Sequence, residues 1–216
     1  MSKARTSSTG LGLEGESRTP APVMGRRAQR TSALIRDKAR EVFLSKGYFG
    51  TTIDDIAEAA GLSRSSFYTY FPTKRDVLLL LGNETYRAMD EMVDKMMVVA
   101  EAGGDGAVAQ IVTMYLQLLD EHGGFVEVWG QAGFGDEELR RAGMRAKLAA
   151  ARRLVVIFKK LGWVPEEEQD PALVCLAFEA MWDRFWYYQK VAGLPATQAE
   201  VVSTLASVVS ATIDRR

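Results

Sequence analysis

The sequence predicts an all-α fold, and three features carry that prediction. Apolar residues recur at three- and four-residue spacing, no strand-like alternation competes with them, and cap residues and glycines stand where helices start and stop. About nine helices follow: an N-terminal three-helix unit containing a helix-turn-helix, then a longer helical body.

The chain has 216 residues, of which 47% are hydrophobic and 25% charged, with a formal net charge of -1, enough to bury one substantial core or two small ones. Its longest apolar runs, such as Val77 to Leu81, are far shorter than the roughly 20 residues a membrane helix needs, and its polar start has no apolar signal core. A cytoplasmic protein without membrane contact is therefore expected. One cysteine, Cys175, and one histidine, His122, exclude an intramolecular disulfide framework, a multi-cysteine zinc site and a histidine cluster, so no metal and no cofactor are expected. Neither residue has a recognisable catalytic neighbour, which argues against an enzyme. Cys175 reads as a packing residue, and His122 as one that interacts with a helix C-terminus.

Charge is unevenly distributed. Residues 26–80 carry 10 Lys/Arg against 6 Asp/Glu, a net +4, whereas residues 81–216 carry 14 against 20, a net -6. A basic front and an acidic remainder suit one part that meets phosphate and another with a different task.

Residues 1–25 have too little apolar content to fold and read as a flexible polar tail. Arg26, Arg27 and Arg30 end it, able either to reach along DNA phosphates and into a minor groove or simply to solubilise the tail. Thr31 or Ser32 can cap a helix running to about Lys46, with Ile35, Ala39, Val42 and Phe43 as its apolar stripe and Gly47 as its stop. Thr52 with Asp55 forms a T-x-x-D start for a second helix, in which Ile53, Ile56, Ala57 and Ala60 share a face and Gly61 closes the end. Leu62 can fill the corner, Ser63 can cap a third helix, Phe67 and Phe71 form its buried stripe, and Pro72 stops it. Arg64, Ser65, Ser66, Tyr68, Thr69 and Tyr70 then face outward, a set of hydrogen-bonding and aromatic tips that suits a major groove. An ordinary helical hairpin with a solvated face fits the pair alone equally well. Thr73 with Asp76 starts a long helix from Lys74 to about Ala100, where the Lys74 cation is placed to pin a phosphate beside the helix N-terminus.

From Ile35 to Leu78 the pattern I-x3-A-x3-F-x3-G, followed by TTIDDIAEAAGLSRSSFYTYFPTK, resembles the N-terminal DNA-binding domain of TetR-type transcriptional regulators. The resemblance implies that Thr52, Tyr68, Tyr70 and Lys74 hold DNA phosphates while Arg64, Ser65, Ser66 and Thr69 face bases. Asp54 and Asp55 depart from this pattern, since two acids would repel nearby phosphates. The resemblance further implies a DNA-binding domain at 26–80 and a helical domain at 81–216 that dimerises and binds an effector. On this basis the chain is expected to be a homodimeric repressor, released from a palindromic double-stranded operator by a small apolar or aromatic molecule.

In the body, Gly103, Gly104 and Gly106 end the long helix, and further helices read as about 105–122, 124–134, 136–161, 170–192 and 197–213. Gly123-Gly124, Gly162 and Gly193 with Pro195 supply stops, while Asp136, Asp170 before Pro171, and Thr197 with Glu200 supply starts. The 170–192 helix carries aromatics around most of its circumference, so it must be buried on more than one side. With the 197–213 helix it has the composition of a dimer interface, the alternative being an intramolecular core. Tyr86, Met89, Met92, Met96, Met114, Tyr115, Leu118, Phe125, Trp129, Trp182 and Trp186 are candidate linings for an apolar effector cavity, each alternatively a core residue. Glu179, Asp183 and Arg184 read as a satisfied network on the helix surface.

Overall fold

The computed structural model describes residues 25–214, which form eight α-helices and no strand. In chain order these are α1 (Arg26–Gly50), α2 (Ile53–Ala59), α3 (Arg64–Tyr68), α4 (Lys74–Ala102), α5 (Ala107–Gly135), α6 (Glu137–Lys160), α7 (Pro171–Lys190) and α8 (Gln198–Ile213). The tail expected before Gly25 lies outside the described residues.

The chain divides into two compact units. The first comprises residues up to Arg87 together with Phe125–Gly143, and the second Ala88–Gly124 together with residues from Met144 onward. In the first, Ile35, Ala39 and Phe43 of α1 meet Ile56 and Ala57 of α2, Phe67 and Phe71 of the α3 segment, and Val77, Leu78 and Leu81 of α4. Helices as short as α2 and α3 are unstable alone, and this shared apolar core stabilises them. Phe125, Val128 and Ala132 of α5 and Leu139 of α6 complete the same core.

The predicted caps form. The Thr52 side chain accepts from the Asp55 backbone N–H at 3.1 Å while the Asp55 carboxylate accepts from the Thr52 N–H at 2.8 Å. Thr73 with Asp76 and Thr197 with Glu200 repeat the arrangement. Asp170 accepts from the Ala172 N–H ahead of α7, and Asp136 accepts from the Glu138 and Leu139 N–H groups ahead of α6. Replacing Thr52 by alanine is expected to lower the stability of the first unit by about 1 kcal/mol. Thermal unfolding without DNA checks this, and an unchanged midpoint would show that the cap contributes nothing.

Two boundaries differ from the sequence-based expectation. First, α1 begins at Arg26, with Gly25 at its cap position, rather than at Thr31 or Ser32. Arginine, alanine and glutamine are good helix formers, and Thr31 donates its hydroxyl back to the Arg27 carbonyl instead of capping. Arg26, Arg27 and Arg30 therefore stand exposed on the first turns of α1, not in a tail. Gly47 does interrupt α1, with φ +70°.

Second, Gly123-Gly124 does not end a helix, because α5 runs unbroken from Ala107 to Gly135. Each helical glycine costs about 1 kcal/mol relative to alanine. Gly123 has a packing reason to be there: a Cβ would stand 2.6 Å from the Trp186 ring, so only glycine admits that close approach to α7. His122 accordingly lies inside α5 rather than near its end.

The second unit is built on Met92 and Met96 of α4, Ile111, Tyr115 and Leu116 of α5, Leu154, Ile157 and Phe158 of α6, Phe178 and Trp182 of α7, and Leu205 and Val209 of α8. Within the chain α7 buries one face, formed by Cys175, Phe178, Glu179, Trp182 and Trp186. Its opposite side leaves Leu173 58% and Tyr188 43% exposed.

Candidate nucleic-acid interface

The candidate site is built on the turn between α2 and α3. Gly61 adopts φ +65°, a left-handed conformation that glycine takes without steric cost, and the Leu62 N–H returns to the Ala57 carbonyl at 2.9 Å. The Ser63 hydroxyl accepts from the Ser66 N–H at 3.1 Å and starts α3. Phe67 and Phe71, with ring centroids 6.0 Å apart, hold α3 onto the core and so decide which residues face out.

Arg64, Ser65, Tyr68 and Thr69 are exposed, the Arg64 side chain by 59% and Tyr68 by 44%. Ser66 is half-buried, its hydroxyl 2.9 Å from that of Ser63, and Tyr70 packs partly against the core. The structure thus gathers Arg64, Ser65, Tyr68 and Thr69 on one open surface. Ser66 and Tyr70 sit at its margin.

The two acids that fit least well in the sequence have structural partners. Asp55 completes the α2 cap and pairs with Lys46 at 2.6 Å; hydrogen bonds from Lys46 and Thr52 hold its carboxyl well below the usual range. Asp54 pairs with Arg64 at 2.7 Å, and Arg64 also donates to the Tyr68 hydroxyl at 3.2 Å with its guanidinium over the Tyr68 ring. The carboxylate offsets charge at the residue expected to face bases and steers its guanidinium. Sequence reasoning missed this pairing, since the two residues lie ten apart across a turn with no local spacing signal.

Lys74 is more enclosed than expected. Its ammonium donates to the Tyr48 and Thr51 carbonyls at 2.7 and 2.6 Å and lies 4.5 Å from the centroid of the Tyr48 ring. Burial lowers its pKa. It ties the end of α1 to the start of α4, and Gln131 adds a bond from the Tyr48 N–H to its side-chain oxygen at 3.2 Å. Thr52 is exposed, but its hydroxyl is engaged with Asp55 at 2.7 Å.

Of the candidate effector linings, Met89, Met92, Met96, Met114, Tyr115, Leu118, Trp182 and Trp186 share the core of the second unit. Phe125 and Trp129 instead pack in the core of the first unit, and Tyr86 falls within that unit. The expected network on α7 is also divided. Asp183 accepts from the Tyr115 hydroxyl at 2.8 Å and from Lys147 at 2.5 Å, whereas Arg184 lies over the Tyr187 and Tyr188 rings. Burial pushes the Cys175 thiol up to about 12, so this cysteine is a packed, unreactive group. An open groove of about 1060 Å³ in the second unit runs along Val202, Ser203 and Ser207 of α8, Lys160 and the Gly103–Gly106 turn, and none of the expected linings borders it.

A short capped helix projecting arginine, hydroxyls and a tyrosine from a three-helix core is the reading element of a helix-turn-helix DNA-binding protein. Residues 35–81 match the family model described as bacterial regulatory proteins, tetR family. Residues 35–81 are thus a DNA-binding domain of the tetR family type. The chain is 27% identical over 159 residues to the HTH-type transcriptional regulator EthR of Mycolicibacterium smegmatis, covering 70% of this chain and 72% of that one. It is 34% identical over 65 residues to the regulator TtgR of Pseudomonas putida, covering 30% of this chain and 31% of that protein. Among solved structures, a TetR-family regulator from Mesorhizobium loti superposes with a TM-score of 0.68 at 21% identity, covering 88% of this chain and 98% of the other. The fatty acid degradation regulator FadR from Bacillus halodurans superposes with a TM-score of 0.64 at 21% identity, covering 86% and 97%. Among the described residues no helix is long and apolar enough to cross a membrane.

Proposed function

We propose that this regulator is a cytoplasmic homodimer that represses transcription from a palindromic operator and releases it when a small apolar or aromatic effector enters the second unit. The observation that carries the DNA reading is the exposed α3 face, where Arg64 and Tyr68 project from a helix anchored by buried Phe67 and Phe71. Arg64 and Ser65, with Ser66 and Thr69, read bases, while Thr52, Tyr68, Tyr70 and Lys74 hold the backbone and Arg26, Arg27 and Arg30 extend the basic surface. Dimerisation through α7 and α8 is supported by the apolar side chains they leave exposed, including Leu173, Tyr188 and Val208. Two heads about 34 Å apart would read successive major grooves of one DNA face, and an effector that prefers a different spacing would release them.

Fluorescence anisotropy on a duplex selected for binding by this chain tests the reading. Arg64→Ala is expected to change base preference by about 1 to 3 kcal/mol at one position per half-site, and Tyr68→Ala to weaken binding across all sequences. Lys74→Ala should weaken binding similarly and also lower the melting temperature, because two carbonyls lose their partner. Unchanged affinity in Arg64→Ala and Tyr68→Ala would remove the α3 face from the interface.

A further inference from the structure

The core of the second unit contains two buried polar atoms that no hydrogen bond satisfies among the described residues: Glu179 Oε1 and Trp182 Nε1. They lie one turn apart on α7, Glu179 being 1% exposed and Trp182 fully buried. Burying such groups unpaired is costly, and native interiors rarely do so without a functional reason.

Among the described residues, the one ammonium nearby is already engaged. Lys147 is committed to Asp183, which the Tyr115 hydroxyl also engages, and both Lys147 and Asp183 act electrostatically on Glu179. Two carboxyl groups therefore share one ammonium, and Glu179, buried with no cation of its own, holds its proton in the folded chain. Aromatic rings lie alongside: Trp182 stands 5.0 Å from Tyr115 and 6.3 Å from Phe178, centroid to centroid. Such faces attract a desolvated cation. Met92 and Met96 belong to the same core, and their unbranched chains can make room for a guest.

We infer that this core is a binding site for a lipophilic amine, its ammonium donating to Glu179 and an adjacent oxygen accepting from the Trp182 indole N–H. The inference rests on the effector reading above and specifies the chemical class of the effector. A neutral alcohol could hydrogen-bond Glu179 but would leave its carboxyl protonated, whereas an ammonium can pair with the carboxylate in place of that proton. A carboxylate would bring a further anion beside Asp183, whose cation is already engaged.

Three probes of nearly equal shape separate these cases: phenoxyethylamine, phenoxyethanol and phenoxyacetate. Titration calorimetry and thermal shift on the full chain should show binding and stabilisation by the amine. The alcohol should bind at least about tenfold more weakly and the anion not measurably, and Glu179→Gln should weaken amine binding by at least about tenfold. Circular dichroism verifies that the variant is folded, and the comparison of probes on the unaltered chain needs no variant. Equal or tighter binding of the alcohol, amine binding unaffected by Glu179→Gln, or no binding of the amine would each overturn the assignment. Adding the probes to the protein–DNA complex separates this inference from the reading beneath it. Amine binding through Glu179 with unchanged DNA affinity supports the site and removes effector-controlled release. DNA release by the alcohol or the anion, without binding of the amine, overturns the amine assignment and retains such release.

Discussion

Gly82→Ala is expected to destabilise the first unit by about 1 to 3 kcal/mol, although an exposed helical glycine replaced by alanine normally gains about 1 kcal/mol. A Cβ at position 82 would lie 2.2 Å from the Trp129 ring. That ring has little freedom to retreat. Its indole N–H donates to the Leu139 carbonyl at 3.2 Å, and the same nitrogen is only 2.8 Å from where a Cβ on Gly143 would stand. Glycines on α4 and α6 thus accept one tryptophan of α5, all within the first unit. Denaturant unfolding of Gly82→Ala, Trp129→Leu and the double variant measures the coupling, which should exceed about 1 kcal/mol because the residues are in direct contact. Stabilisation by Gly82→Ala, or additive effects in the double variant, would show that the close approach has no energetic role.

Glu179→Gln is expected to alter the pH dependence of stability. Burial is the main cause raising the Glu179 carboxyl from 4.5 to about 8; Lys147 opposes the shift and Asp183 adds to it. Between those two values the unfolded chain loses this proton while the folded chain retains it. The carboxyl therefore costs stability progressively as pH rises through the window, with no further change beyond about 8. A displacement of this size corresponds to at most about 5 kcal/mol. Glutamine does not titrate, so the melting temperature of the variant should rise relative to that of the unaltered protein between pH 4.5 and 8. Parallel profiles would mean that Glu179 ionises as readily in the folded chain as in the unfolded one.

Local chemistry was the legible part of the sequence. Thr52 with Asp55, Thr73 with Asp76, Thr197 with Glu200, and Asp170 before Pro171 mark true helix starts, because a cap joins groups only two or three residues apart. Gly61 marks a true turn, because its left-handed conformation is a property of one residue. Gly123 and Gly124 misled for the complementary reason. Their meaning depends on Trp186, far away in sequence, whose ring occupies the space a side chain at 123 would need.

The sequence by itself determined the all-α class, the helix-turn-helix and the residues that open and close most helices, since these follow from periodicity and interactions within one or two turns. Only the tertiary structure decided the partners of individual polar groups. It pairs Asp54 with Arg64, gives Lys74 the carbonyls of Tyr48 and Thr51, places Phe125 and Trp129 in the core of the first unit, and leaves Glu179 Oε1 buried without a hydrogen-bond partner among the described residues. Those outcomes depend on which helix faces meet, and side chains brought together from distant positions leave no periodic mark on the chain.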